Sequence, residues 1–139
     1  MARPNKEGLD YFPLDTDMDT DDKIVLIEGR YGIEGYGTVV KLLSKIYKEG
    51  YYYPWTEKEL LLFSQRTRIE EPFIKKVVDD CLKWDIFNKK LYKKYQILTS
   101  NGIQKRYFEA VKRRLKINVC KEYTLNGVLD NINDDNVNI

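Results

Sequence analysis

From position 22 onward, the apolar residues recur mostly at the three- and four-residue spacings of amphipathic helices, interrupted by short β-prone runs. Ile24, Ile27 and Tyr31 predict a helix over about 22–31, which Gly32 stops. Val39, Val40, Leu42, Leu43, Ile46 and Tyr47 predict a second over about 35–49, at the centre of the core, with Gly50 ending it. Tyr51-Tyr52-Tyr53-Pro54-Trp55 is too short and too β-prone to be more than an extended pairing segment. Thr56 stands three residues before Glu59 and is followed by Leu60-Leu61-Leu62-Phe63, so a capping box opens a short helix running to about Thr67. Another helix starts near Glu71-Pro72, because proline fits a first helical turn. Its Phe73, Ile74, Val77, Val78, Cys81 and Trp84 recur on one face.

Ile86-Phe87, Asn88-Lys89-Lys90, Leu91-Tyr92, Lys93-Lys94 and Tyr95-Gln96-Ile97-Leu98 follow. They read as two short strands joined by a lysine-rich turn. Strand, helix, tight connection, helix and basic hairpin are the parts of a winged helix-turn-helix. After it, Thr99-Ser100-Asn101-Gly102 offers caps for a last helix over about 102–117, with Ile103, Tyr107, Phe108, Val111 and Leu115 apolar. The fold class is therefore mainly α with a small β-wing: an N-terminal arm over 1–20, a winged-helix domain over 21–117 including the basic C-terminal helix, and an asparagine-rich linker or tail over 118–139. Linker composition at that end predicts a C-terminal domain beyond it. Tyr11-Phe12 and Leu14 of the arm are expected to tuck against the core.

Net charge is +2, but it is segregated. Residues 1–82 carry 12 basic and 16 acidic side chains, residues 83–121 carry 12 basic and 2 acidic, and the remainder carries four acids and no base. A block of net +10 is what attraction to a polyanion requires. The chain has no histidine, no nucleophile–base pair and no paired-carboxylate motif, so an enzyme is the poorest reading and no cofactor is expected. Asp17, Asp19, Asp21 and Glu28 have the offsets of a calcium loop, but Asp22 occupies the sixth position where that loop needs glycine. Thr20 or Asp21 is better read as a helix cap. Gly29 to Gly37 lacks the endings and spacings of a phosphate loop and reads as a helix–helix corner. Cys81 and Cys120 form no motif, and Cys81 is expected to be a buried free thiol. No apolar run approaches a membrane span and no signal peptide is visible, which gives a cytoplasmic location by default and no membrane partner.

In a winged helix the second helix of the pair usually enters the major groove, and the wing lies along the backbone or minor groove. Lys75, Lys76 and Lys83 would be exposed on that second helix, with Asp79 and Asp80 beside them and no arginine within it. Arg66 and Arg68 at the preceding turn would reach instead. Phosphate contact by the wing lysines Lys89, Lys90, Lys93 and Lys94, and by Lys105, Arg106, Lys112, Arg113 and Arg114 of the last helix, is the stronger expectation. Mixed charge on the groove helix keeps a protein-interaction module open, and a transcriptional regulator is a further option. The Tyr51–Trp55 run and the arm look like more exposed aromatic surface than a small monomer carries, which predicts a homo-oligomer.

Tyr11-Phe12-Pro13-Leu14-Asp15-Thr16-Asp17-Met18, then Tyr31-Gly32 with Gly35-Tyr36-Gly37, and finally Leu98-Thr99-Ser100-Asn101-Gly102-Ile103-Gln104-Lys105-Arg106 form a set. Together they resemble the N-terminal domain of phage and prophage replisome organisers of Gram-positive bacteria, which is similar to the winged-helix domain of DnaD-type primosome proteins. The likeness covers about residues 8 to 117. It implies binding of origin DNA in the initiation of phage DNA replication, self-association, and contact with the replicative helicase or its loader through a C-terminal domain. No site residue is carried over from the resemblance.

Overall fold

The first α-helical element, α1 (Asp22–Glu49), is two helices joined across a kink at Gly32. The computed structural model describes residues 7–139, so the first six residues of the expected arm lie outside the described residues. Asp21 caps α1 by accepting from Lys23 N at 2.9 Å, as its position before an apolar repeat requires. Gly32 ends the first helix as expected: its non-helical φ +73°, ψ −166° makes the helix–helix corner, beyond which the second helix runs to Glu49. Only glycine takes that conformation readily, so it can turn the chain between the two helices. Ile24, Ile27, Val39, Leu42, Ile46 and Tyr47 of α1 are buried.

The expected pairing segment forms β1 (Tyr53–Pro54), and the capping box opens α2 (Glu57–Thr67), where Thr56 N donates to Glu59 Oε1 at 2.9 Å. Arg68 ends α2 in the left-handed region at φ +59°, and α3 (Glu71–Lys83) follows with proline in its first turn. Ile74, Val77, Val78, Cys81 and Leu82 of α3 are buried, and the helix packs on both α1 and α2. Trp84, expected on this buried stripe, is 37% exposed. At about 100° per residue it falls at the stripe's edge, on the last turn, whereas Leu82 on the opposite edge is covered.

The lysine-rich turn is a helix, α4 (Lys89–Tyr95), and the hairpin expected around it is absent. Asn88 Oδ1 accepts from Leu91 N at 2.9 Å, capping a segment whose Leu91, Tyr92 and Tyr95 repeat at helical spacing. The next strand, β2 (Ile97–Leu98), pairs antiparallel with β1, setting Tyr53 opposite Leu98 and Pro54 opposite Ile97. Among the described residues the chain is thus mainly helical, with this two-stranded sheet joining the ends of the α2–α3–α4 segment.

The last helix, α5 (Asn101–Val111), is shorter than expected. Ser100 Oγ caps it by accepting from Ile103 N, and Ile103, Gln104, Tyr107, Phe108 and Val111 are buried. Leu115 lies beyond the helix and is 87% exposed. Ile117–Asn118 forms β3, parallel to β4 (Val137–Asn138). Residues 118–139, expected as linker, are docked onto the protein. Val119, Val128 and Ile132 are buried, and Gln104 ties the segment to α5 by donating to Tyr123 O at 2.8 Å and accepting from Leu125 N at 2.8 Å. Phe12 of the arm stacks on Tyr47, whereas Tyr11 is 86% exposed and Leu14 is exposed. Within the aromatic run Tyr51, Tyr53 and Trp55 are buried, Tyr52 is half-buried and Pro54 is exposed.

Candidate nucleic-acid interface

Helical geometry gathers the basic residues of α4 that a hairpin would have alternated between two faces. Around its axis Lys89, Lys90, Lys93 and Lys94 span an arc of about 140°, and Leu91, Tyr92 and Tyr95 fill the remainder. Leu91 is buried and Tyr95 sits edge-on to Tyr123 at 4.9 Å, so that side is held and the four exposed ammonium groups turn outward. Lys94 Nζ lies 5.3 Å from the Tyr95 ring centre. Lys89 Nζ lies 3.7 Å from Asp85 Oδ1, an exposed pair worth little in stability.

On α3 the exposed residues Pro72, Lys75, Lys76, Asp79 and Lys83 share an arc of about 100°. Asp80 does not belong to that face. Its Oδ2 accepts from Arg30 Nη1 and from the Tyr31 hydroxyl, both at 2.8 Å, and the side chain is 13% exposed. Burial by itself would raise the Asp80 carboxyl, but the hydrogen bonds from Arg30 and Tyr31 and the nearby positive charges outweigh it and hold it below its ordinary value. One of the two aspartates expected to face phosphates is therefore neutralised inside the α1–α3 contact. Burial pushes the free Cys81 thiol up to about 12, an inert core group.

The remaining expected contacts divide. Arg66 is exposed near the end of α2 and Arg68 is its exposed left-handed cap. Lys105 and Arg113 are exposed, but Lys112 pairs with Glu109 of α5. Arg106 donates to the Tyr47 hydroxyl at 3.3 Å, and Arg114 donates through Nη2 to Gly8 O at 3.0 Å. Arg106 is exposed beside the core and Arg114 holds the arm, and Lys112, Arg113 and Arg114 lie beyond Val111, so one helix does not carry the whole expected basic face. Lys23, which the sequence does not single out, donates from Nζ to Asp85 O at 3.4 Å. That brings a cation from the start of α1 to the turn between α3 and α4, a contact across 62 positions that no local pattern signals.

Three other features frame the interface. A cleft of about 490 Å³ lies between the arm, α1 and the start of α5, with Phe12, Ile24, Val39 and Tyr47 on its apolar side. Among the described residues no cluster of three or more histidines, cysteines or carboxylates could hold a metal ion. Among the same residues no helix is long and apolar enough to cross a membrane.

The family model described as Lin1244/Lin1753-like, N-terminal, matches residues 11–103, which include α1 to α4, both strands of the first sheet and the start of α5. An uncharacterized phage-related protein, Lin1244/Lin1753, from Listeria innocua serovar 6a is 52% identical over 125 residues, covering 90% of this chain and 41% of that relative. This chain thus spans about two-fifths of the relative's length. No solved structure matches. With its match running through the whole of the lysine-bearing segment, the chain belongs to the Lin1244/Lin1753-like, N-terminal family.

Proposed function

We propose that this chain is a DNA-binding module that acts in the initiation of phage DNA replication, holding DNA through its phosphates and without enzymatic activity of its own. The observation that carries the reading is α4, a capped helix that concentrates four lysines on one arc while anchoring its other side on Leu91 and Tyr95. Lysines placed this way neutralise phosphates and release counterions. Lys75, Lys76 and Lys83 add a second basic stripe on α3, and the relative's phage relation supports a role in a phage process. In this reading α2 and α3 are the helix pair of a winged-helix module, with β1 and β2 as its sheet and α4 in place of the wing hairpin. Resemblance to replisome organisers supports placing it at the replication origin, self-associated, with helicase contact made by a C-terminal domain. A protein-interaction module of the same machinery is the second reading, favoured by Asp79 in the middle of the exposed α3 stripe, where it would oppose phosphates.

Binding of labelled duplex, single-stranded and forked DNA at low salt tests the proposal. About five or six phosphate contacts give a slope of log K against log salt of roughly −5, at ~0.9 per phosphate. Absence of binding to every form would remove the DNA reading and leave the interaction module.

A further inference from the structure

Trp84 is the large side chain that the apolar pattern of α3 misplaces, and its surroundings give it a use. Of the two tryptophans, Trp55 is buried at 5% exposure and Trp84 is 37% exposed. Trp84 caps α3, its backbone N–H donating to Asp80 O at 2.9 Å, and Asp85 then turns the chain in the left-handed region at φ +60°. Lys83 Nζ stands 5.0 Å from the indole ring centre. Lys23 reaches the backbone of Asp85 and Lys89 reaches its carboxylate. Cations from α1, α3 and α4 therefore meet at the turn that carries the indole. Asp80 is answered by Arg30 and Tyr31, while Asp79 and Asp85 are exposed carboxylates of this region, Asp85 within 3.7 Å of Lys89.

A partly exposed aromatic ring among ammonium groups suits unpaired nucleic acid, because a base stacks on the ring while its flanking phosphates meet the lysines. Stacked, paired bases inside a duplex offer no free face, so a duplex draws on the phosphate contacts alone. We infer that Trp84 is a stacking platform for an unpaired base and gives this interface a preference for single-stranded or forked DNA over duplex. This rests on the DNA-binding reading above. Lys83 sits on a flexible stem, so it exchanges a weak contact with the ring for a phosphate when the base arrives.

Intrinsic fluorescence reads the event directly, because the other tryptophan is interior. Titrating the full chain at low salt with oligothymidylate should quench tryptophan emission, and a blunt duplex of equal length should leave it nearly unchanged. In an anisotropy assay Trp84→Ala should weaken single-strand binding about tenfold and change duplex binding by less than about twofold, and Trp84→Phe should recover most of the loss. Lys83→Gln should weaken both substrates alike. Circular dichroism shows whether each variant is folded; if Trp84→Ala is not, the wild-type titration and Trp84→Phe still decide. Equal losses on both substrates, or single-strand binding without quenching, would overturn the stacking role while leaving DNA binding intact. If the unaltered chain binds no DNA in the same anisotropy assay, both readings fall.

Discussion

Gly32 holds the backbone at φ +73° in the middle of α1, and a side chain there would meet nothing within 4 Å. Strain alone therefore decides the outcome of a substitution. Gly32→Ala should lower stability by about 1–3 kcal/mol in urea unfolding. Gly29 and Gly37 also face open space but are helical, so alanine at either should raise stability by roughly 0.5–1 kcal/mol in the same measurement. Asp80 makes a second residue-scale test. Its carboxyl is held below the ordinary value, so the stability it contributes is present above the unfolded value of about 3.9 and is lost as pH falls through the lower folded value. Asp80→Asn should lower the urea midpoint at pH 7. The gap between variant and parent should close as the pH is taken below that window.

At the scale of elements, α4 separates electrostatics from structure. Replacing Lys89, Lys90, Lys93 and Lys94 with glutamine preserves helix propensity and the buried side of α4. Affinity for every DNA sequence should fall together, and the salt slope should flatten by about 3 to 4, at ~0.9 per phosphate. Unchanged affinity and slope in a folded variant would make the lysines a solvated surface. Asn88→Ala tests the element itself: loss of the cap should cost about 1 kcal/mol, seen as a lower midpoint in thermal or urea unfolding. Because α4 has seven residues, it depends on that cap and on Leu91 more than on its own propensity.

Across the whole molecule, one buried amide helps to hold the segment after α5, beside the Tyr51 hydroxyl, which accepts from Cys120 N at 3.0 Å. Gln104 is fully buried and bonds Thr99 Oγ1, Tyr123 O and Leu125 N, while Thr99 donates to Tyr51 O at 2.5 Å. Gln104→Ala leaves those backbone groups unpaired and should lower stability by about 2–4 kcal/mol in urea unfolding. Removing residues 124–139 takes Val128 and Ile132 out of the core and should produce a comparable or larger drop in the same assay.

Much of this architecture follows from the sequence because it depends on neighbours a few positions apart. The cap at Asp21, the box of Thr56 and Glu59, the proline-led start of α3 and the apolar repeats of α1, α3 and α5 are local chemistry. They mark helix starts and, apart from Trp84 and Leu115, the buried faces, and the β-prone run at Tyr53 marks a strand. The segregation of charge was equally visible. Tertiary structure decided what local pattern leaves degenerate. Leu91, Tyr92 and Tyr95 fit a short strand or a short helix, and the pairing of Ile97–Leu98 with Tyr53–Pro54 left residues 89–95 to the helix. The last helix was expected to reach residue 117, but the chain leaves it after Val111 to place Ile117 beside Val137. An asparagine-rich segment looks like linker until its few apolar residues find a surface, as Val128 and Ile132 do here. The candidate interface divides the same way: the sequence names its lysines, and only folding ties Arg114 to the arm, turns Asp80 toward Arg30, and brings Lys23 to the turn beside Trp84.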